Sequence, residues 1–410
     1  MSRRRELLRI GAAGGLLSLA GCAGLGRSAG GTRRERLGAS DGSDGDLFGY
    51  SVSTSNDGRL VAIGAPSDRV DGRTSGSVYI FSRSDSGWHR DAKLVVDDAT
   101  RRLGKSLAMS GDGRTVVAGT DTPALHERVY VFSRDEGGWR QQAAFAPDRQ
   151  EVYFGRSVAI SDDGSVVLVG APSLQSGDEG KVYRFEQGVT DWDERTVVEP
   201  LYDGYVDQFG GCLSLDGDGE TAVVTAVEDV TAGPGSLVSA LSWGDGEVPS
   251  WTSVDTVVPD RVTLLDDAVA LSADGTRAAV NGFVDRDGVV LVFSRTRRTW
   301  RREATLPLDD VAEHFGRSVA MSGDGRTVVV GADRRNALVD GGGVAYVFDY
   351  GDSGWDRRME LALDDGTDRD SFARSVAVSH DGTRIFVGAY GEGDVDDRLG
   401  NVYVVDTARD

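Results

Sequence analysis

Carboxylates set beside glycines are the side chains in this sequence best placed to do chemistry. Asp216-Gly217-Asp218-Gly219 puts two acids two residues apart in a tight loop, a spacing that suits a divalent cation. Further acids gather in polar stretches around Asp68 and Asp71, Asp178 and Glu179, Asp340, and Asp394, Asp396 and Asp397. Mixed with arginines, such stretches can take a cation, a sugar or a protein. Calcium needs roughly six to eight oxygens at about 2.3–2.6 Å, which a four-residue turn with one or two carboxylates cannot supply alone. Asp216 and Asp218 are therefore the nearest approach to a metal site, and no cofactor is expected.

Other chemistry finds less support. The histidines His89, His126, His314 and His380 fall at unrelated positions, and no HExxH, GxSxG or phosphate-cradling glycine loop occurs. Two cysteines exclude a disulfide framework. Cys212 replaces a small residue at the start of a strand and reads as a buried free thiol. These observations predict a protein without catalytic activity.

The elements that position these residues come from an internal repeat. Phe154 to Pro172 (FGRSVAISDDGSVVLVGAP) recurs in altered form from Phe48, Leu103, Phe154, Phe209, Leu265, Phe315 and Phe372. Each copy places a glycine ten positions on, at Gly58, Gly113, Gly164, Gly219, Gly275, Gly325 and Gly382. Ser157 to Ile160 and Val166 to Val169 read as two strands joined by an Asp-Gly turn, where glycine can take positive φ without a Cβ clash. A third apolar run, Val182 to Phe185, and a fourth opened by a tryptophan, Trp192 to Val198, complete the unit. Four short strands repeated seven times predict an all-β, seven-bladed β-propeller of four-stranded antiparallel blades. Leu37 lies eleven residues before Phe48, as Leu361 lies eleven before Phe372, while the last repeat stops after Val402 to Val405. The N-terminal segment is thus expected to supply the missing fourth strand of the last blade and close the ring. Blades four and five are the least regular: Ser236 to Ser250 lacks the Val-Tyr pattern, and repeat five opens Leu265-Asp266.

Composition bounds the partners. The chain has 410 residues, a net charge of −21, 56 glycines and 9 prolines. An acidic surface with only Lys93, Lys105 and Lys181 for lysines argues against nucleic acid and resembles that of proteins from salt-loving microbes. Residues 1–22 read as an address label. The Arg4-Arg5 pair resembles a twin-arginine export motif, and Leu19-Ala20-Gly21-Cys22 a lipobox, which would lipidate Cys22. Residues 23–32 form a flexible tether, and 33–410 the propeller.

Phe48-Gly49 with Gly64-Ala65-Pro66, and Phe154-Gly155 with Gly170-Ala171-Pro172, resemble the FG-GAP repeat of integrin α-subunits and microbial surface proteins. The resemblance implies a seven-bladed propeller, a role in binding or adhesion, and calcium in those blades that carry DxDxDG loops. The turn between strands 1 and 2 is constant in length, whereas the segment between strands 2 and 3 varies. The face carrying the 2–3 loops is therefore the candidate binding face. The expected function is a lipid-anchored, monomeric, extracytoplasmic binding or adhesion module on the outer face of the cell membrane, with a protein or surface glycan as ligand. The alternative is an enzyme acting on a glycan or small molecule at the central channel. There the inner-strand positions from Ser51-Val52 to Ser375-Val376 read as small and bland.

Overall fold

The computed structural model describes residues 7–10, 33–97, 102–120, 128–147, 153–173, 180–189, 191–200, 206–228, 236–243, 250–253, 262–263, 268–284, 287–297, 299–306, 315–334, 342–363, 371–391 and 400–407. They form seven antiparallel blades. Blade three shows the plan, from axis to rim: Ser157–Ile160, Val166–Ala171, Lys181–Gln187 and Trp192–Val198. The second strand is buried along its whole length, while the rim strand exposes four of its seven residues, as its charged sequence requires. A bulge between the third and fourth strands falls just before the aromatic at Phe81, Phe132, Phe185, Phe293 and Phe348. These are the five blades with a fixed seven-residue gap from that aromatic to the tryptophan. The extra residue of the bulge belongs to that spacing.

Blade seven is completed as the sequence predicts. Arg33–Leu37 pairs antiparallel with Asn401–Asp406, from Arg33 opposite Asp406 to Leu37 opposite Val402. Arg83 of blade one then bonds Asp406 at 2.7 Å, and Arg384 reaches the Gly58 carbonyl at 2.8 Å, tying the last blade to the first. Blades four and five also reach four strands. Their second strands, Thr221–Glu228 and Arg277–Val284, run long, and each pairs with an extra short segment, Val206–Asp207 and Val262–Thr263. A further strand, Leu7–Ile10, lies parallel to Glu360–Leu363 on the rim of blade six.

Packing between blades is apolar and aromatic. Phe48, Phe154, Phe209, Phe315 and Phe372 are buried. Across joints Trp88 packs on Phe386, and Phe145 on Phe185 and Trp192; inside single blades, edge-to-face contacts set Phe48 on Tyr79, Phe154 on Tyr183, Phe315 on Tyr346 and Phe372 on Tyr403, at 5.2–5.7 Å between centroids. The Val-Tyr pattern of the third strand supplies these partners. At the axis the seven 1–2 turns are laced into a closed circle by one backbone bond per joint. Asn56 N donates to Gly111 O, Asp112 N to Asp162 O, Asp162 N to Gly217 O, Gly217 N to Ala273 O, Ala273 N to Gly323 O, Asp324 N to His380 O, and His380 N to Asn56 O. Their lengths run from 2.8 to 3.3 Å.

Candidate functional site

The two halves of the repeated motif meet across each regular joint. The residue before the Phe and the Gly after it take positive φ, as at Tyr153 (69°) and Gly155 (90°), so that the glycine carbonyl turns toward the preceding blade. There it accepts a serine hydroxyl: Ser51 to Gly104, Ser106 to Gly155, and Ser157 to Gly210, each at 2.7 Å. Ser318 bonds Ala373 at 2.9 Å and Ser375 bonds Gly49 at 2.8 Å. The second motif glycine lies beneath this bond, and a Cβ on Gly170 would stand 2.0 Å from the Gly210 oxygen. The small inner-strand residues are thus clamps between blades.

One residue before the clamp position, five of the seven inner strands carry a charged side chain. The seven positions are Tyr50, Lys105, Arg156, Gly211, Asp267, Arg317 and Arg374; Asp267 lies outside the described residues. They mark the end of the channel away from the 1–2 turns, on the side of the 2–3 loops. Three consecutive blades meet at Tyr50. The Lys105 ammonium of blade two sits 4.7 Å from its ring centre, and the Arg374 guanidinium of blade seven 5.5 Å. Tyr390, at the end of the second strand of blade seven, packs its ring 5.3 Å from Tyr50. Burial alone would raise the Tyr50 phenol; the charges of Arg374 and Lys105, a hydrogen bond with Lys105, and the charge of Arg156 outweigh it and lower the pKa. Cations thus gather around the Tyr50 phenol, in a chain that is acidic overall.

The acids singled out from sequence are placed differently from one another. Asp68 is buried, 2 % exposed, and accepts bonds from Ser77 Oγ (2.5 Å), Lys93 Nζ (2.7 Å) and Tyr79 OH (3.3 Å). Burial, together with the Asp68 charge, pushes Tyr79 up to about 12, while the bonds to Asp68 and Tyr79 raise Lys93 against its own desolvation. Asp68 therefore anchors the base of the blade-one loop. Asp71 is exposed at the tip of that loop, in the left-handed region at φ 51°. Asp178, Glu179, Asp340, Asp394, Asp396 and Asp397 lie outside the described residues, as do Arg4, Arg5 and Cys22. Cys212 is a free thiol, half-buried where the sequence suggested full burial.

Asp216 and Asp218 do come together. Asp216 replaces the turn serine of the other six blades and is 4 % exposed. In those blades the hydroxyl donates to the turn aspartate, as Ser161 does to Asp163 at 2.7 Å, and accepts a backbone N–H, as from Val166 at 3.0 Å. Asp216 Oδ1 keeps the acceptor half of that role toward Thr221 N at 2.9 Å. Desolvation, then the facing Asp218, push its pKa up to about 7. Among the described residues no group of three or more His, Cys, Asp or Glu is arranged to hold a metal ion.

The small, uncharged Ser-Val pair of each inner strand gives no sign of the mouth. One residue upstream of that pair, the seven equivalent positions hold four cations, a tyrosine, a glycine and one acid, Asp267. That column was a legible signal.

The fold and joints define a seven-bladed β-propeller built from motif pairs. The family model described as FG-GAP repeat matches residues 32–81, 300–348 and 355–405, so the chain carries FG-GAP repeats. No curated protein matches the sequence. Among solved structures, an oligogalacturonate lyase from Vibrio parahaemolyticus is 10% identical, with a TM-score of 0.60 over 94% of this chain and 96% of that one. The hydrazine synthase of Kuenenia stuttgartiensis is 15% identical, with a TM-score of 0.59 over 90% and 98%. A periplasmic gluconolactonase from Pseudomonas aeruginosa is 16% identical, with a TM-score of 0.53 over 77% and 85%. At these identities the likeness is one of fold. It corrects the expectation that the chain lacks catalysis: a lyase and a lactonase stand on similar scaffolds, and small clamp residues on the inner strands do not exclude an active site beside them.

Proposed function

We propose that this propeller is a lipid-anchored, extracytoplasmic binding module that engages a protein or surface glycan on the face of the 2–3 loops. The observation that carries the reading is the Tyr50, Lys105 and Arg374 cluster, where side chains of three blades meet at the channel on that face. Anchorage rests on the lipobox-like run ending at Cys22. Two measurements test the parts separately. Cys22→Ser is expected to move the protein from the membrane fraction to the soluble fraction, and retention on the membrane would refute the anchor. Replacing residues 69–74 at the tip of the blade-one loop with Gly-Ser is expected to leave the melting temperature within a few degrees while weakening retention on intact envelopes. Unchanged retention would move the binding face elsewhere.

A second reading is favoured by the lowered pKa of Tyr50. A phenol held among cations at a channel mouth is suited to proton transfer on a glycan or small molecule. Tyr50→Phe keeps the ring and removes the proton. Loss of turnover in that variant, against an acidic or neutral glycan that the parent protein converts, would support it; a parent protein that converts none of them would remove it.

A further inference from the structure

We propose that the channel mouth framed by Tyr50, Lys105, Arg156 and Arg374 is an anion subsite, taking an oxyanion borne by an acidic polysaccharide or by a small acid. The inference rests on the binding function proposed above and names its ligand chemistry. Acidic residues outnumber basic ones 66 to 45, yet four of the seven repeat positions at this mouth are Lys or Arg. The serine-to-carbonyl bonds of the clamps lie one residue along from them. Lys105 and Arg374 bring a cation from each neighbouring blade to one phenol ring.

The inner-strand positions at the two ends of the channel differ in composition, with four cations and one acid, Asp267, at the mouth. At the far end the turn aspartates Asp57, Asp112, Asp163, Asp218, Asp274, Asp324 and Asp381 are exposed around the laced circle. The lowered Tyr50 pKa reports the cations of the mouth from inside the site. A planar guanidinium beside a phenol and an ammonium offers several donors to one carboxylate or phosphate.

The test uses the full chain and three probes: polygalacturonate, monomeric galacturonate and neutral dextran, with inorganic phosphate as a fourth arm. Binding is read by calorimetry. The ionisation of Tyr50 is read as the difference in ultraviolet phenolate absorbance between the parent and Tyr50→Phe. Lys105→Gln and Arg374→Gln are each expected to weaken polygalacturonate about tenfold or more, and to lower the salt dependence of binding. Arg59→Gln, on the turn face, serves as the control and is expected to change affinity by less than about twofold. Bound anion is expected to raise the Tyr50 pKa by neutralising its surroundings. Binding of the polymer with no response to the monomer or phosphate assigns the subsite to an extended chain; a response to all three assigns it to the oxyanion itself. Dextran bound as tightly as polygalacturonate, with both Gln variants unaffected, refutes the anion subsite and leaves the binding function standing. No binding of any anion, with Tyr50 absorbance unmoved, refutes the subsite. Capture of envelope material under those conditions would show that the broader function survives it.

Discussion

Blade three and blade five solve the same joint in different ways. In blade three Ser157 donates across to Gly210, and Gly170 leaves room for the carbonyl that receives the bond. In blade five the equivalent residues are Ala268 and Asn281. The hydroxyl is gone, and the Asn281 Cβ stands 2.8 Å from where a side chain on Gly316 would begin. Asn281 is 1 % exposed, and its Oδ1 finds no hydrogen-bond partner. Blade four makes a third variation: Thr225 takes the glycine position and turns its hydroxyl to Cys212 N of its own blade at 3.2 Å. The comparison shows that the joint is a coupled pair of positions. Losing the serine and losing the glycine go together, because the hydroxyl, the carbonyl and the space left by a missing Cβ form one unit.

Breaking that unit in a regular blade gives the largest expected effect. Gly170→Ala drives a Cβ to 2.0 Å from a backbone oxygen, and we expect a loss of roughly 4 kcal/mol or more by denaturant unfolding. A loss below about 1 kcal/mol would mean the joint is loose. The next effect is pH-dependent and lies in blade four. A carboxyl whose folded pKa is raised binds its proton more tightly in the folded chain. Its contribution is therefore full below the unfolded value near 4 and is lost as pH rises toward about 7. Asp216→Ser restores the hydroxyl of the sister turns, so it should stabilise at pH 8 by about 1–2 kcal/mol and by much less at pH 5. Equal effects at both values would show that Asp216 carries no extra proton.

Smaller effects sharpen the contrast. Ala268→Ser combined with Asn281→Gly rebuilds the regular joint in blade five and is expected to gain about 1 kcal/mol, by adding a bond and removing a buried unsatisfied carbonyl oxygen. A double variant less stable than either single one would refute the coupling. Smallest is the seventh copy, where Ala373 occupies the motif glycine at φ 65°. Ala373→Gly is expected to raise stability by about 0.5–1 kcal/mol, measured as a small rise in denaturation midpoint.

Much of this could be read from residue order. The constant interval from Phe154 to Gly164 carries the hairpin, and the gap-free match of Leu37 with Leu361 carries the ring closure that pairing with Val402 displays. The physical reason is that turns and strand registers are local, and a repeat states them seven times. What sequence hid was lateral. Nothing along the chain says that Ser106 meets Gly155, or that Lys105 and Arg374 face one phenol, because those contacts join different blades. Asp68 shows the same limit. It sits among loop acids in the sequence, yet Lys93 and Tyr79, a strand or more away, draw it inside.

The strand Arg33–Leu37 has a consequence for assembly. It is made before any blade exists, while its partner, Asn401–Asp406, follows only after all the other strands of the ring. The nascent chain must therefore keep an unpaired ribbon in waiting until that partner is made. Circularisation is a single late event whose entropic cost falls on one pairing, so slow maturation and vulnerability to proteases should both trace to that seam.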